Sequence, residues 1–234
     1  MNIILRGDTF RDCSVDDQFF AFKNIVRHVI EPLNYKNEHV NVFLVTYNKY
    51  YENEIRNIFK NYNFFYFTII KSNQVNGFIN SFNVLLESKV NINGTIGTLI
   101  LRSDLCFKQN ITYDRISKDK ILFQWNLLHN KKTGEIADQI QFVGSGILDD
   151  FVDKINSYQI DTLYQGTLHN LYNFCVDKFG RGKISYLNYI QDPEPNNAIC
   201  KIRGNPGVQL GNPLYNYTRY ISKELNNTTI QETG

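Results

Sequence analysis

The chain has 234 residues, 42% of them hydrophobic and 21% charged, and a formal net charge of +2. That length carries a sizeable core in one large domain or two small ones. The balanced charge, with no cationic run longer than Lys131-Lys132 and no basic stripe interleaved with aromatics, argues against a nucleic-acid binder.

Near Met1 the only apolar run is Ile3-Ile4-Leu5, shorter than a signal peptide requires, and no stretch approaches the ~20 apolar residues of a membrane span. A cytoplasmic protein is expected. Cys13, Cys106, Cys175 and Cys200 sit far apart without a Cys-x-x-Cys pair, so reduced and mostly buried thiols are expected, not disulfides or zinc. The Asn-x-Ser/Thr triplets at Asn93, Asn110, Asn216, Asn226 and Asn227 are chance matches in a chain rich in Asn and Thr.

In chain order, Ile3-Ile4-Leu5 stopped by Gly7-Asp8 predicts a buried strand and a turn. Asp16 and Asp17 suit the cap of a helix, where their charge meets the positive end of its dipole. Phe19, Phe20, Phe22, Ile25, Val26, Val29, Ile30 and Leu33 then recur at helical spacing, in a helix that ends near Pro32. Val40–Val45 predicts a second strand followed by Thr46, and a helix runs through Glu54–Phe59. The aromatic and β-branched run Phe64–Ile70 predicts a third strand. Helical spacing returns at Phe78, Ile79, Phe82, Leu85 and Leu86, and the strand Thr98–Leu101 leads directly into Arg102-Ser103-Asp104. Ile121–Phe123, Gln139–Val143 and Ile184–Leu187 read as later strands, with helices around 147–157 and 167–179.

Four alternations of strand and helix predict an α/β fold with a mostly parallel central sheet flanked by helices on both faces. The less regular second half predicts added antiparallel strands. No repeat or Pro/Gly-rich linker divides the chain, so a single domain over 1–225 is expected, with a disordered tail over 226–234.

Open α/β sheets bind ligands beyond the carboxyl ends of their strands, near the switch point. The first strand delivers Arg6, Gly7, Asp8, Thr9 and Arg11 to that edge, and the second delivers Thr46 and Asn48. The third helix opens near Ser72-Asn73-Gln74, and the fourth strand delivers Arg102, Ser103 and Asp104. Guanidinium groups and helix N-termini around one crevice suit a diphosphate, since the guanidinium fork matches phosphate oxygens. Taken singly, each of these residues reads more readily as a turn former; it is their convergence that marks a site. A Gly-x-x-x-x-Gly-Lys-Ser/Thr loop, a Gly-x-Gly-x-x-Gly turn and a Gly-x-Ser-x-Gly elbow are all missing, which disfavours P-loop, dinucleotide and hydrolase sites. Asp104 either turns its carboxylate into the crevice, where it holds Mg²⁺ or Mn²⁺ against a diphosphate, or is a turn residue; its position leaves both open.

Leu101-Arg102-Ser103-Asp104-Leu105-Cys106-Phe107-Lys108 resembles the "R-x-D-L-x-F-K" segment of small glycosyltransferase-like proteins found in giant DNA viruses and some bacteria. Leu5-Arg6-Gly7 with Arg11 is similar to their "LRG-x-x-x-R" opening. His28 to Leu33 followed by Val42 to Tyr47 resembles their "H-x-I-x-P-L … V-x-V-F-x-x-T-Y". Ala137-Asp138 with Phe142, then His169-Asn170-Leu171-Tyr172 and Asn212-Pro213-Leu214-Tyr215, match later landmarks in order.

The resemblance implies a GT-A-like domain with a nucleotide-binding half (1–105) and an acceptor half (106–225). It implies a nucleotide-sugar donor, with a UDP-sugar first, a glycan acceptor, and a divalent metal, Mn²⁺ or Mg²⁺. It further implies synthesis of viral surface glycans. On this basis Arg6, Gly7, Thr9, Arg11, Thr46, Gln74, Arg102 and Asp104 are the expected donor-binding residues, with Asp104 and His169 as expected metal ligands. His169 otherwise reads as a helix-start histidine with a local hydrogen bond. The family's Asp-x-Asp motif is incomplete, because Arg102 stands where its first acid belongs. An inverting enzyme needs a carboxylate base for the acceptor hydroxyl, and Asp138 is the first candidate. Asp149 and Asp150 follow, although both also read as the first turn of a helix. In a retaining enzyme Asp138 would orient sugar hydroxyls instead. Trp125 is the ring kept as an acceptor platform. The alternative is a catalytically silent glycan- or nucleotide-binding module of the same fold. A nucleotidyltransferase ranks third, because the segment after the first strand has one glycine where that class has a Gly-rich loop.

Overall fold

A computed structural model describes residues 1–10, 13–34, 39–90, 94–107, 110–123, 140–157, 168, 171–187 and 215–217. Arg11, Trp125, Asp138, His169, Cys200, the segment 192–213 and the expected tail 226–234 lie outside the described residues.

The strands β1 (Asn2–Arg6), β2 (Asn41–Thr46), β3 (Asn63–Thr68), β4 (Gly97–Arg102), β6 (Ile121–Phe123), β7 (Ile140–Gly144) and β8 (Ile184–Tyr186) form one sheet, ordered β3-β2-β1-β4-β7-β6-β8. β3, β2, β1 and β4 run parallel, whereas β7 is antiparallel to both β4 and β6. A separate antiparallel pair joins β5 (Leu105–Phe107) to β9 (Tyr215–Tyr217). The sheet is therefore the expected mostly parallel one with antiparallel additions, while β5 was legible only as the segment after Asp104.

Period-two alternation sends successive strand residues to opposite faces. Ile3, Leu5, Val42, Leu44, Leu99 and Leu101 face one core layer, packed under α1 (Val15–Ile25) and α3 (Glu52–Ile58). Ile4, Phe43, Val45, Ile100 and Val143 face the other. That second layer is covered by α4 (Gln74–Glu87), α5 (Leu148–Ile155) and α6 (Leu171–Phe179), whose Phe78, Phe82 and Phe151 form an aromatic cluster with centroids 5.1 to 6.5 Å apart. No helix among the described residues is long and apolar enough to cross a membrane. Cys13 is half-buried, its thiol donating to Gln18 Oε1 at 3.8 Å, and Cys106 and Cys175 are buried; burial pushes the Cys106 and Cys175 thiols up, away from the reactive thiolate.

One local expectation is corrected. Ser14, not Asp16 or Asp17, caps α1, its hydroxyl accepting the Asp17 N–H at 3.1 Å, while both aspartates sit in the first turn. The helix does end near Pro32, two residues on at Asn34. On the way it passes through a π turn (Val26–Ile30) into α2 (Glu31–Asn34) with Pro32 inside. Proline has no N–H to return to the preceding turn. The carbonyls around it find other donors: His28 O accepts the Ile111 N–H at 2.9 Å and Val29 O accepts the Tyr113 hydroxyl at 2.6 Å.

On the antiparallel side, Gly97 of β4 faces Gly144 of β7. A Cβ at Gly144 would stand 2.3 and 2.4 Å from the carbonyl oxygens of Ser117 and Lys118, which are backbone and have no rotamer to yield. Gly144→Ala should therefore destabilise the fold by about 1–3 kcal/mol, the range of overpacked sites. In urea titration the midpoint should fall with the slope unchanged.

Candidate functional site

The topology turns between β1 and β4: the chain builds β2 and β3 on one side of β1, then crosses to place β4 on the other. Ligands in open α/β sheets sit at such a point, outside the carboxyl ends of the strands. Arg6 is there, in register with Val45 of β2 and Arg102 of β4. Following Ile4 and Ile100 at period two, both arginines fall on the α4 face. Arg6 is 6% exposed, its guanidinium carbon 5.5 Å from the centroid of the Phe78 ring on α4.

Beyond the strands the connections are tied together. Gly7 has φ +123°, a conformation side chains rarely adopt, and its N–H donates to Val45 O at 3.2 Å. The Ser103 N–H donates to Arg6 O at 2.9 Å, so the segments after β1 and β4 are joined through backbone. The Ser103 hydroxyl is buried with no hydrogen-bond partner among the described residues, 3.7 Å from where a Cβ on Gly7 would lie.

A polar relay connects the ends of β1, β2 and β3. The Thr9 and Thr46 hydroxyls are 3.1 Å apart, and the Thr9 hydroxyl donates to Asn48 Oδ1 at 3.3 Å. Asn48 Nδ2 donates to Asp8 Oδ1 at 3.4 Å, and Lys71 Nζ pairs with Asp8 Oδ2 at 3.1 Å. The Tyr66 hydroxyl donates to Asn48 O at 3.0 Å; burial first, then the charge of Glu52, pushes its pKa up to about 12 and keeps it a donor. Gln74 opens α4, half-buried beside the cap Asn73, whose side chain accepts the Asn76 N–H at 2.9 Å.

Arg102 and Asp104 meet as a fork: Nε donates to Oδ1 at 2.9 Å and Nη2 to Oδ2 at 2.6 Å, with side chains 33% and 21% exposed. Both oxygens of the expected metal ligand are thus engaged by a guanidinium. Among the described residues no three His, Cys, Asp or Glu side chains come together, and His169, the other expected ligand, lies outside them. Asp149 and Asp150 occupy the first turn of α5, where Asp150 pairs with Lys154 at 2.6 Å, so the helix-turn reading of these two describes their setting.

The structure thus brings Arg6, Gly7, Thr9, Thr46, Arg102 and Asp104 to one edge of the sheet, with Gln74 at the start of α4. Two contributors escaped the sequence reading. Lys71 carried no pattern. Gln18, fully buried on α1, accepts the Phe10 N–H at 3.1 Å and donates to Ser103 O at 2.8 Å, bracing the segments after β1 and β4 at once. Its signal was available: it lies four residues before Phe22, on the apolar stripe of the helix.

No family model matches the chain, and no curated protein does. Among solved structures, the glycosyltransferase GlyE of Streptococcus pneumoniae TIGR4 is similar at 12% identity and a TM-score of 0.49, over 79% of this chain and 44% of that one. This chain therefore spans less than half the length of GlyE. A nucleoside-diphosphate-sugar pyrophosphorylase from Vibrio cholerae RC9 has 11% identity and a TM-score of 0.47, over 80% of this chain and 91% of its own. A cytidylyltransferase from Leptospira borgpetersenii has 11% identity and a TM-score of 0.44, over 79% and 74%. Likeness at this level assigns no residue and no activity.

Gln18→Leu keeps the volume and removes both braces, leaving the Phe10 N–H and the Ser103 carbonyl without that partner. A loss of about 2 kcal/mol is expected. Hydrogen exchange should rise at the backbone amides of residues 7–10 and 103–105 more than in β2, which a uniform loss of stability would not produce.

Proposed function

We propose that the chain is a glycosyltransferase that takes a sugar from a nucleotide-sugar donor, a UDP-sugar first, and passes it to a glycan acceptor. The observation that carries this is the in-register pair Arg6 and Arg102 at the switch point of the sheet, with Gly7, Thr9 and Thr46 around it. Two guanidinium groups at one strand-end edge suit a diphosphate, whose oxygens match their planar donors. As the bond from the anomeric carbon to the diphosphate oxygen breaks, negative charge grows on the departing nucleoside diphosphate, and fixed cations lower the energy of that state. The half 1–105 supplies this donor side, and the half 106–225 the acceptor side.

In an inverting reaction the acceptor oxygen attacks the anomeric carbon while Asp138 takes its proton; in a retaining one Asp138 orients sugar hydroxyls. Arg11 and Gln74 complete the donor set, and His169 is the one candidate metal ligand apart from Asp104. A role in viral surface glycans, in the cytoplasm of an infected cell, rests on the family resemblance alone; the solved structures named above are bacterial. The engagement of both Asp104 oxygens by Arg102 favours one second reading, a catalytically silent nucleotide- or glycan-binding module.

Thermal unfolding against UDP, GDP, CMP and UDP-sugars tests the donor site. A ligand at ~100 times its dissociation constant stabilises the native state by ~2.7 kcal/mol. UDP and a UDP-sugar should raise the midpoint, and Arg6→Ala, measured against its own unliganded midpoint, should abolish the rise. Loss of the sugar from the donor on incubation with candidate glycans separates enzyme from silent module. No rise with any nucleotide would overturn the donor site.

A further inference from the structure

The carboxyl edge of the sheet extends past β4. β7 is antiparallel to both β4 and β6, and β8 runs parallel to β6, so β4, β6 and β8 end on the same edge. Register also gives them a common face. Ile100 pairs with Gln141, Gln141 with Phe123 and Phe123 with Tyr186, and partners directly opposite one another point to one side. Ile100 packs in the layer covered by α4, α5 and α6, and Arg102 follows it at period two. Tyr186, the last residue of β8, therefore lies on the same face and the same edge as Arg6 and Arg102. Three strand spacings of ~4.8 Å separate β8 from β4, a span of ~14 Å.

Tyr186 has a companion. Tyr172, in the first turn of α6, stacks on it with centroids 6.2 Å apart and planes 8° from parallel, and packs on Phe123 at 5.9 Å. Phe123 is fully buried, both tyrosines are half-buried, and β8 is the outer strand of the sheet. Tyrosines that serve the core use their hydroxyls differently: Tyr113 donates to Val29 O at 2.6 Å and Tyr66 to Asn48 O at 3.0 Å. Among the described residues neither Tyr172 nor Tyr186 donates to a backbone carbonyl, and the Tyr186 hydroxyl meets that of Tyr172. Burial first, then this neighbour, pushes the Tyr186 hydroxyl up and keeps it a donor. A mutual bond uses one O–H and one lone pair, and leaves the other O–H and the remaining lone pairs for a ligand.

The pair is thus a ledge of ring surface that carries two hydroxyls, apolar on its body and polar at its tips. A sugar has the matching make-up, with C–H patches on its ring faces and hydroxyls around its rim. We propose that Tyr172 and Tyr186 form the acceptor subsite, where one sugar of an oligosaccharide packs on the ring surface and bonds to the hydroxyls. This rests on the glycosyltransferase reading above and deepens it by naming the acceptor class. The span from β4 exceeds a single sugar ring, so the reacting end of the oligosaccharide reaches the donor while its outer units lie along the edge toward β8.

Saturation-transfer NMR of the full chain with maltotriose, cellotriose, chitotriose and mannotriose, and with the monosaccharide of each, tests this beside calorimetric titration with UDP, GDP and CMP. At least one trisaccharide should bind, and more tightly than its own monosaccharide. Tyr172→Phe and Tyr186→Phe, which keep the rings and guard against a folding defect, should each weaken it ~3- to 10-fold, the range for one lost neutral hydrogen bond. Tyr186→Ala should weaken it further. Affinity for the tightest nucleotide should stay within ~2-fold of native in all three variants, as for sites that share no partners. Trisaccharide binding at native strength in all three, or no saccharide bound by a chain that binds a nucleotide, would overturn the subsite and leave the donor site standing. Binding of no nucleotide, with trisaccharide binding still weakened by the tyrosine variants, would overturn the donor reading and keep the pair as the glycan site of the silent module.

Discussion

The placement of everything at the carboxyl edge depends on a relay of side-chain amides at the opposite edge. Asn63 donates to Asn41 Oδ1 at 3.2 Å, Asn41 to Asn2 Oδ1 at 2.8 Å, and Asn2 to Thr95 Oγ1 at 3.2 Å. Asn2, Asn41 and Asn63 are also register partners across β1, β2 and β3. Asn2 and Asn41 are buried, and a buried amide without a partner costs about 1–3 kcal/mol. A strand that slipped by one residue would break the relay and turn its apolar set to the wrong face. The relay thus fixes register independently of the hydrophobic pattern. Register is what puts Arg6 level with Arg102, four residues further along β1.

Above that base the core follows from alternation, which is why the parallel half was legible. Ile3 and Leu5 go to one layer and Ile4 to the other, and Val42 to Val45 repeat the pattern on β2. Strands buried on both faces read as continuous apolar runs, and β1, β2 and β4 have that form. β3 differs because it is an edge strand, half exposed along its length. Its aromatic composition predicted a strand correctly but carried no information about which position in the sheet it takes. Strand β5 was missed for a related reason: three residues give no period, and its partner β9 lies over one hundred positions on. The end of the helix near Pro32 was legible from a local rule, but the π turn before it was not. The carbonyl of His28, four residues before the proline, accepts from Ile111 and that of Val29 from Tyr113, and nothing near Pro32 announces them.

The site was legible as a set of strand ends and illegible as a set of contacts. The rule that ligands gather at carboxyl ends picks Arg6, Gly7, Thr9, Thr46, Arg102 and Asp104 from sequence, and the fold brings those residues to one edge. What the rule does not contain is who holds whom. Two residues apart on an extended chain, Arg102 and Asp104 were read as separate ligands for phosphate and metal. The turn after β4 folds them onto each other instead. Gln18 shows the same limit from the other side, as a polar residue on an apolar stripe whose two partners are 8 and 85 positions away.

The edge is also built under strain. Phe10 and Tyr51 have φ of +61° and +56°, and their rings touch at 4.9 Å between centroids, with Phe19 5.7 Å from each. A left-handed conformation costs an ordinary side chain roughly 1–2 kcal/mol. Such a cost persists only where surrounding contacts over-determine the backbone. Here they do: Gln18 takes the Phe10 N–H, Tyr66 donates to Asn48 O within the segment leading to Tyr51, and the three rings close on one another. The same contacts fix the two segments that carry Asp8, Thr9 and Asn48. Rigidity at this edge has a consequence for binding, because a ligand meeting donors already in place does not bear the cost of ordering them. Strain held by these contacts keeps the segments after β1 and β2 in one arrangement, which is what an ordered edge requires.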